Sequence, residues 1–466
     1  MKLTWINPVE LVGHELNQLE QEGRDVASLR RRWNASHAEN NTPEALRRSA
    51  QLFLEELAPL SRLSAVSAVE PSKLESILEL CPGRASDRIP AIPQRSVIED
   101  RIAGGWFGRA AGCLLGKPVE KIPRDGIRRI LSSNDSWPLT YYITGKGVPD
   151  ELLRRYPWNS HEGRESLREN IRCMTEDDDM NYPMLNLAVL ETAGPGFTTD
   201  QIAQAWLTML PILSTFTAER VAYMNCLDGL LPPETAILRN PYREWIGARI
   251  RGDVFGWVSP GDPRRASTLA YRDAVLSHVR NGIYGEMFVA AMIAAAFVET
   301  DPREIVRSGL AFVPPDSRLA RAVRFALSLP ADEPAWEGAV SRLYEEFGHY
   351  HWVHTVNNAA LVVAALLYGG GDFERSICNV VMGGWDTDSN GATVGSILGT
   401  LLGAQRLPAR WIDPLDNRIR SSLRGFDNSA IDGLAQRTVK IALASISSQG
   451  DHDFQGRTTA QQNPRR

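Results

Sequence analysis

Two acidic segments carry residue types and spacings suited to chemistry. The first is Thr175-Glu176-Asp177-Asp178-Asp179, which contains four consecutive carboxylates. Such a run repels itself unless water or a cation neutralises it. Read as a plain structural element, it is the solvated start of a helix, where acids suit the macrodipole. Pro183 and the apolar residues behind it place a helix start at this point. The second segment is Gly383-Gly384-Trp385-Asp386-Thr387-Asp388-Ser389-Asn390-Gly391, ahead of a helix of small residues. A tight turn aims Asp386 and Asp388 at one cation, with Thr387 or Ser389 adding a hydroxyl oxygen. All of these are hard oxygen ligands, which suit magnesium, manganese or calcium and not zinc. The competing reading is a helix cap whose Asp and Ser side chains satisfy free N–H groups. A third segment, Gly112-Cys113-Leu114-Leu115-Gly116-Lys117-Pro118-Val119-Glu120, ends a Gly/Ala-rich helix at a Gly-x-Pro turn and leaves Glu120 just beyond it. Taken alone, Glu120 reads as an exposed glutamate after a helix stop.

The elements that must position these residues are helices. Ala- and Leu-rich stretches at 184–192, 286–299, 357–368, 391–404 and 430–445 have apolar residues at helical spacing, and each is long enough for about three turns. Several are apolar nearly all round and belong inside a layer of other helices. Alternating strand patterns are scarce. The expected fold class is all-α: a compact multi-helix domain over 96–448, with a helical N-terminal extension over 1–95. Within the extension the helical patterns fall at 9–33, 43–60 and 72–80, and the Pro-rich stretch 82–94 reads as a linker. Residues 449–466 cannot bury a core and read as a disordered tail.

The composition excludes several classes. Of 466 residues, 43% are hydrophobic and 23% charged, which is globular usage rather than disorder. Lys plus Arg is 51 against 56 acids, a net charge of −5, which argues against nucleic-acid binding by bulk charge. Five scattered cysteines form no CxxC pair and suggest reduced thiols in a cytoplasm. The longest apolar stretches are too short to span a bilayer, and the N-terminus lacks the apolar core of a secretory signal. His349, His351 and His354 suggest zinc, but no cysteine or nearby carboxylate supports it. His354, Asn357 and Asn358 precede a buried helix and are candidates for facing a ligand, the alternative being helix caps. Trp257 and Trp385 are candidates for stacking on a flat ligand, although core packing is the ordinary use of a tryptophan.

In this order, the three segments resemble the ADP-ribosylglycohydrolase family, of the dinitrogenase-reductase-activating type. That family opens with Gly-Asp-Ala-x-Gly-x-Pro-x-Glu, matched in its second half by Leu115-Gly116-Lys117-Pro118-Val119-Glu120. Its Thr-Asp-Asp-Thr corresponds to Glu176-Asp177-Asp178-Asp179, and its Gly-Gly-Asp-Thr-Asp-Thr to Gly384-Trp385-Asp386-Thr387-Asp388-Ser389. A register one residue earlier aligns Thr175 with the family threonine and Glu176 with the first aspartate; the later register keeps two adjacent aspartates. Cys113 stands at the family's first aspartate, and Trp385 is inserted. A looser match, Asn281-Gly282-Ile283-Tyr284, falls at a family segment that begins Asn-Gly.

The resemblance implies an all-α fold with two magnesium ions in a central cleft, manganese being the alternative metal. It implies Glu176, Asp177, Asp178, Asp386, Asp388 and Ser389 as metal ligands, and Glu120, Asp177 and Asp386 as catalytic residues. Asn281, Gly282, Tyr284, His354, Asn357 and Trp385 are the expected substrate contacts. The expected activity is hydrolysis of a ribosyl C1 bond, on an ADP-ribosylated protein or a small ribosyl substrate. The alternatives are a small N-riboside hydrolase on the same scaffold and a catalytically silent ADP-ribose binder.

Overall fold

The computed structural model describes residues 4–39, 42–62, 68–81 and 93–460. The chain is 67% helical. Strand pairing among the described residues is confined to the short antiparallel pair Arg418–Ile419 and Ser429–Ala430 and to two isolated bridges. The all-α expectation therefore holds. The apolar runs sit where their all-round patterning requires. Every residue of the Asn281–Ala295 helix is buried, and the helix packs against Asp253–Trp257, Pro263–Ala274 and Pro302–Leu310. The Thr355–Gly369 helix is buried over nearly its whole length.

The contact that sets the site is between the helices Arg95–Gly116 and Thr387–Leu402. Gly104, Gly108 and Gly112 recur every fourth residue, so they form one stripe on the first helix. Each lies on a partner of the second helix in antiparallel order: Gly399, Gly395 and Gly391. A Cβ on any of them would collide with the opposing carbonyl, so only glycine permits this backbone approach. At the end of the stripe Thr387 Oγ1 donates to the Gly116 carbonyl at 2.8 Å. The end of one helix is thereby fastened to the start of the other, bringing the Lys117–Glu120 turn to Asp386 and Asp388.

The N-terminal run at 9–33 is two helices, Pro8–Gln21 and Ala27–Glu39, divided at Gly23, whose φ of +84° ends the first. The first buries Leu11, Val12, Leu16 and Leu19, and a third helix, Pro43–Arg62, packs against it. A buried ionic network joins this layer to the rest of the chain. Arg243 pairs with Glu15 at 2.8 Å and Glu22 at 2.7 Å, and Arg318 pairs with Glu70 at 2.6 Å and Glu244 at 2.8 Å. Arg280 bridges Glu22 and Glu244, and Gln18 donates to Glu244 at 2.7 Å. Most of the linker reading, 82–92, lies outside the described residues, as do positions 461–466 of the tail. The last helix, Ile431–Ala460, carries the backbone into the segment read as a tail. No helix among the described residues is long and apolar enough to cross a membrane.

Candidate active site

The acidic segments meet in a cleft of about 520 Å³. Asp177 caps the Asp178–Ala193 helix, its Oδ1 accepting from the Asp179 N–H at 2.8 Å. Asp386 precedes the Thr387–Leu402 helix but makes no side-chain cap bond, so its carboxylate is left to the cleft. This answers the cap reading of that segment for Asp386. Both acidic segments thus sit at helix N-termini, where the dipole favours negative charge. Glu120 follows the short 3₁₀ turn Lys117–Val119, outside any helix. Its carboxylate accepts from Asn159 Nδ2, and Lys121 lies 3.3 Å away.

Donor atoms fall into two groups. Oxygens of Glu120, Asp386 and Asp388 lie within 4.8 Å of one another, as do donor atoms of Cys113, Asp177 and Asp179. The first set is all carboxylate oxygen, which fits a hard divalent cation. The second holds a thiol and is already engaged by cations. Lys117 Nζ sits on Asp177 Oδ2, and Arg109 Nη2 is 3.1 Å from Asp179 Oδ1. Ser389 Oγ donates to Asp179 Oδ2 at 3.1 Å.

Burial and mutual repulsion push these carboxyls upward. Glu120 rises to about 8, through burial and then Asp388. Asp179 rises to about 7, through burial and then Asp177, and Asp388 to about 6, through burial and then Asp177 and Asp179. Asp178 and Asp386 also lie well above the usual range, chiefly through burial and then through their neighbouring aspartates. Burial, then Asp177 and Asp179, keep Cys113 a neutral thiol. Burial opposes the Lys117 charge, but Asp177 and its neighbours outweigh it and hold the ammonium.

The structure brings Glu120, Glu176, Asp177, Asp178, Asp386, Asp388 and Ser389 to the cleft wall. The expected substrate contacts do not border it. Asn281 is buried, donating to Glu244 at 3.0 Å and accepting from the Leu319 N–H at 2.9 Å. Gly282 packs on the Arg243 carbonyl and His278, and Tyr284 donates to the Pro71 carbonyl. His354 is buried and its Nδ1 accepts from the Val356 N–H at 3.2 Å, while Asn357 donates to the His351 carbonyl at 3.2 Å. Trp385 stacks on Tyr344, centroids 4.4 Å apart, and anchors the turn before Asp386. Trp257 donates to Thr400 at 2.9 Å inside the core.

Other residues take up the positioning. Asn358 Oδ1 accepts from the Asp386 N–H at 3.2 Å and from Asn390 at 2.7 Å, and Arg249 donates to Asn390 at 2.6 Å. Thr4 and Trp5 of the N-terminal segment also line the cleft, a contribution with no local sequence signal. A larger cavity of about 1060 Å³ lies elsewhere, lined by Glu70, Thr198, His278 and Arg280 among others, and none of the motif carboxylates reaches it.

The profile of the ADP-ribosylglycohydrolase family matches residues 94–445, covering both helices of the glycine stripe and every motif carboxylate. The chain belongs to that family, and with it to the glycosidase class of hydrolases. A solved structure described as an ADP-ribosylglycohydrolase-related protein complex is similar at 19% identity. The match covers 75% of this chain and 99% of that one, with a TM-score of 0.47. No curated protein sequence matches the chain.

Proposed function

We propose that the chain is a magnesium-dependent hydrolase of a ribosyl C1 glycosidic bond, with an ADP-ribosyl group as substrate. The observation that carries this reading is the convergence of Glu120, Asp386 and Asp388 in one cleft within the family-matched region. Magnesium, with manganese as a substitute, would be held by these three carboxylates and would supply orientation of ribose hydroxyls and a water of lowered pKa. The chain's own carboxylates do the rest. Breaking the C1 bond builds positive charge on C1 and the ring oxygen, which Asp177 and Asp386 stabilise from the cleft wall. Water adds to C1, the bonding electrons leave with the aglycone, and Glu120 takes the proton that water gives up. A carboxyl near neutrality suits that role, and the turn that carries it gives it freedom to move. The five free cysteines support a reducing, cytoplasmic setting.

A second reading is favoured by Thr4 and Trp5. With the N-terminal segment forming part of the cleft wall, the site suits a small ribosyl compound better than an ADP-ribosyl group on a folded protein. One screen tests both readings: ADP-ribosylated protein, ADP-ribosyl-arginine, ADP-ribosyl-serine and simple ribosides, with and without magnesium. The expected product is free ADP-ribose or a free ribosyl sugar, and Glu120→Gln should slow its formation by roughly 10²–10⁴. Recovery of AMP would mean pyrophosphate cleavage and end the proposal, and an unchanged Glu120→Gln rate would remove Glu120 from the mechanism.

A further inference from the structure

The two donor groups of the cleft differ in one respect. In the Glu120, Asp386 and Asp388 group the nearest ammonium is Lys121, 3.3 Å from Glu120 on a side chain 53% exposed, so water readily replaces it. In the Asp177 and Asp179 group the ammonium is Lys117, only 8% exposed and seated on a carboxylate that is 2% exposed. Each oxygen of that second pair is already engaged. Asp177 holds Lys117 and the Asp179 N–H, while Asp179 holds Arg109 and the Ser389 hydroxyl. The remaining donor, Cys113, is a buried thiol, a poor partner for a hard cation.

The charges agree with the geometry. Cys113 stands where the matching motif has an aspartate, which removes one negative charge. Lys117, the residue directly after the helix that carries Cys113, brings one positive charge to the same donor group. The missing carboxylate and the ammonium together amount to the charge of one divalent ion and fall on the same donor group. With the Lys117 ammonium on Asp177 and the Arg109 guanidinium on Asp179, each carboxylate of this pair already has a cation, and a second metal would have to displace Lys117 from its buried pair.

We infer that the Lys117 ammonium stands in for one of the two metal ions, so the chain binds a single divalent ion, at Glu120, Asp386 and Asp388. The inference rests on the metal reading above. Lys117 then acts as a permanent cation beside Asp177, holding that carboxylate in place whether or not metal is present.

The test counts manganese on the purified full-length chain by equilibrium dialysis and elemental analysis, with electron paramagnetic resonance to detect coupled ion pairs. One ion per chain, with no exchange-coupled signal, is expected for the natural sequence. Asp177→Asn should keep that ion and Asp388→Asn should lose it. The paired change Cys113→Asp with Lys117→Ala should admit a second, coupled ion. Two ions on the natural sequence, or loss of the ion in Asp177→Asn, overturns the inference while leaving the metal reading standing. No ion at all overturns both. Should the paired variant fail to fold, the natural sequence and the two single variants still decide the matter.

Discussion

Two of the buried charge clusters among the described residues are built on opposite rules. Around Arg243, Arg280 and Arg318, four carboxylates (Glu15, Glu22, Glu70 and Glu244) each touch a guanidinium. Burial alone would raise Glu244, but Arg318 and Arg280 hold its carboxyl well below the usual range. In the cleft the acids outnumber their cations, and the carboxyls are pushed upward instead. The first arrangement costs nothing further once it is folded. The second is a stored repulsion that a cation or a proton relieves, which is the physical mark of a binding site rather than a girder.

Breaking a pair in the balanced network should have the largest effect on stability. Arg243→Ala leaves Glu15 and Glu22 buried without their shared cation, a loss of about 3–5 kcal/mol. Urea unfolding of the metal-free chain measures it. Asp386→Asn, by contrast, removes a charge from the repelling set and should leave metal-free stability unchanged or raised. If the two variants lose equal stability, the distinction between the regions fails.

A gentler probe is pH. Glu120, Asp179 and Asp388 have folded pKa values raised to about 8, 7 and 6, above those of an unfolded chain. Their contribution to metal-free stability is therefore full below about pH 4, falls as pH rises above the unfolded values, and is gone once pH passes the folded values of about 6 to 8. A bound divalent ion works the other way, because it needs the ionised forms. Magnesium at a hundred times its Kd should stabilise by about 2.7 kcal/mol at pH 8. The gain should shrink below pH 6, where protons hold the same oxygens. Thermal melts with and without magnesium at both pH values check this. A gain independent of pH would mean that the metal binds outside these carboxylates.

The sequence makes the two regions unequally visible. The cleft is built from local signals. Acids sit at helix starts, glycines recur every fourth residue, and a Gly-x-Pro turn ends in glutamate, so the motif carboxylates can be named from their immediate neighbours. The network is built from distant partners, and the same local reading misassigns it. Asn281 and Tyr284 look like cleft residues at a helix start, yet their polar atoms are satisfied by Glu244, Leu319 and Pro71. Of the neighbouring candidates Asn357 and Asn358, it is Asn358 that reaches Asp386, a matter of helix phase that no pattern around them fixes. Lys117 lies inside the Gly-x-Pro motif, but its burial on Asp177 follows from how the helices dock.

The smallest expected effect sits where the two regions touch. Trp5 belongs to the N-terminal layer, with its ring edge-on to Tyr242 at 5.7 Å and to Trp245 at 6.2 Å, yet it also lines the cleft. Thr4 beside it is held by Arg220, whose Nη1 donates to the Thr4 carbonyl and hydroxyl at 3.1 Å each. The wall is thus attached to the main domain by two charged hydrogen bonds and aromatic edges. Trp5→Ala removes aromatic contact worth about 0.5–1.5 kcal/mol, which is roughly two- to twelvefold in KM for a small ribosyl substrate. The rate at saturation should hold, because the carboxylates are untouched. For an ADP-ribosylated protein the same change widens the entrance, so kcat/KM should rise rather than fall. Steady-state kinetics on both substrate types therefore decides what the N-terminal layer does at the cleft. A loss for the small substrate with a gain for the large one makes Trp5 a size filter, and equal losses for both make it a general binding contact.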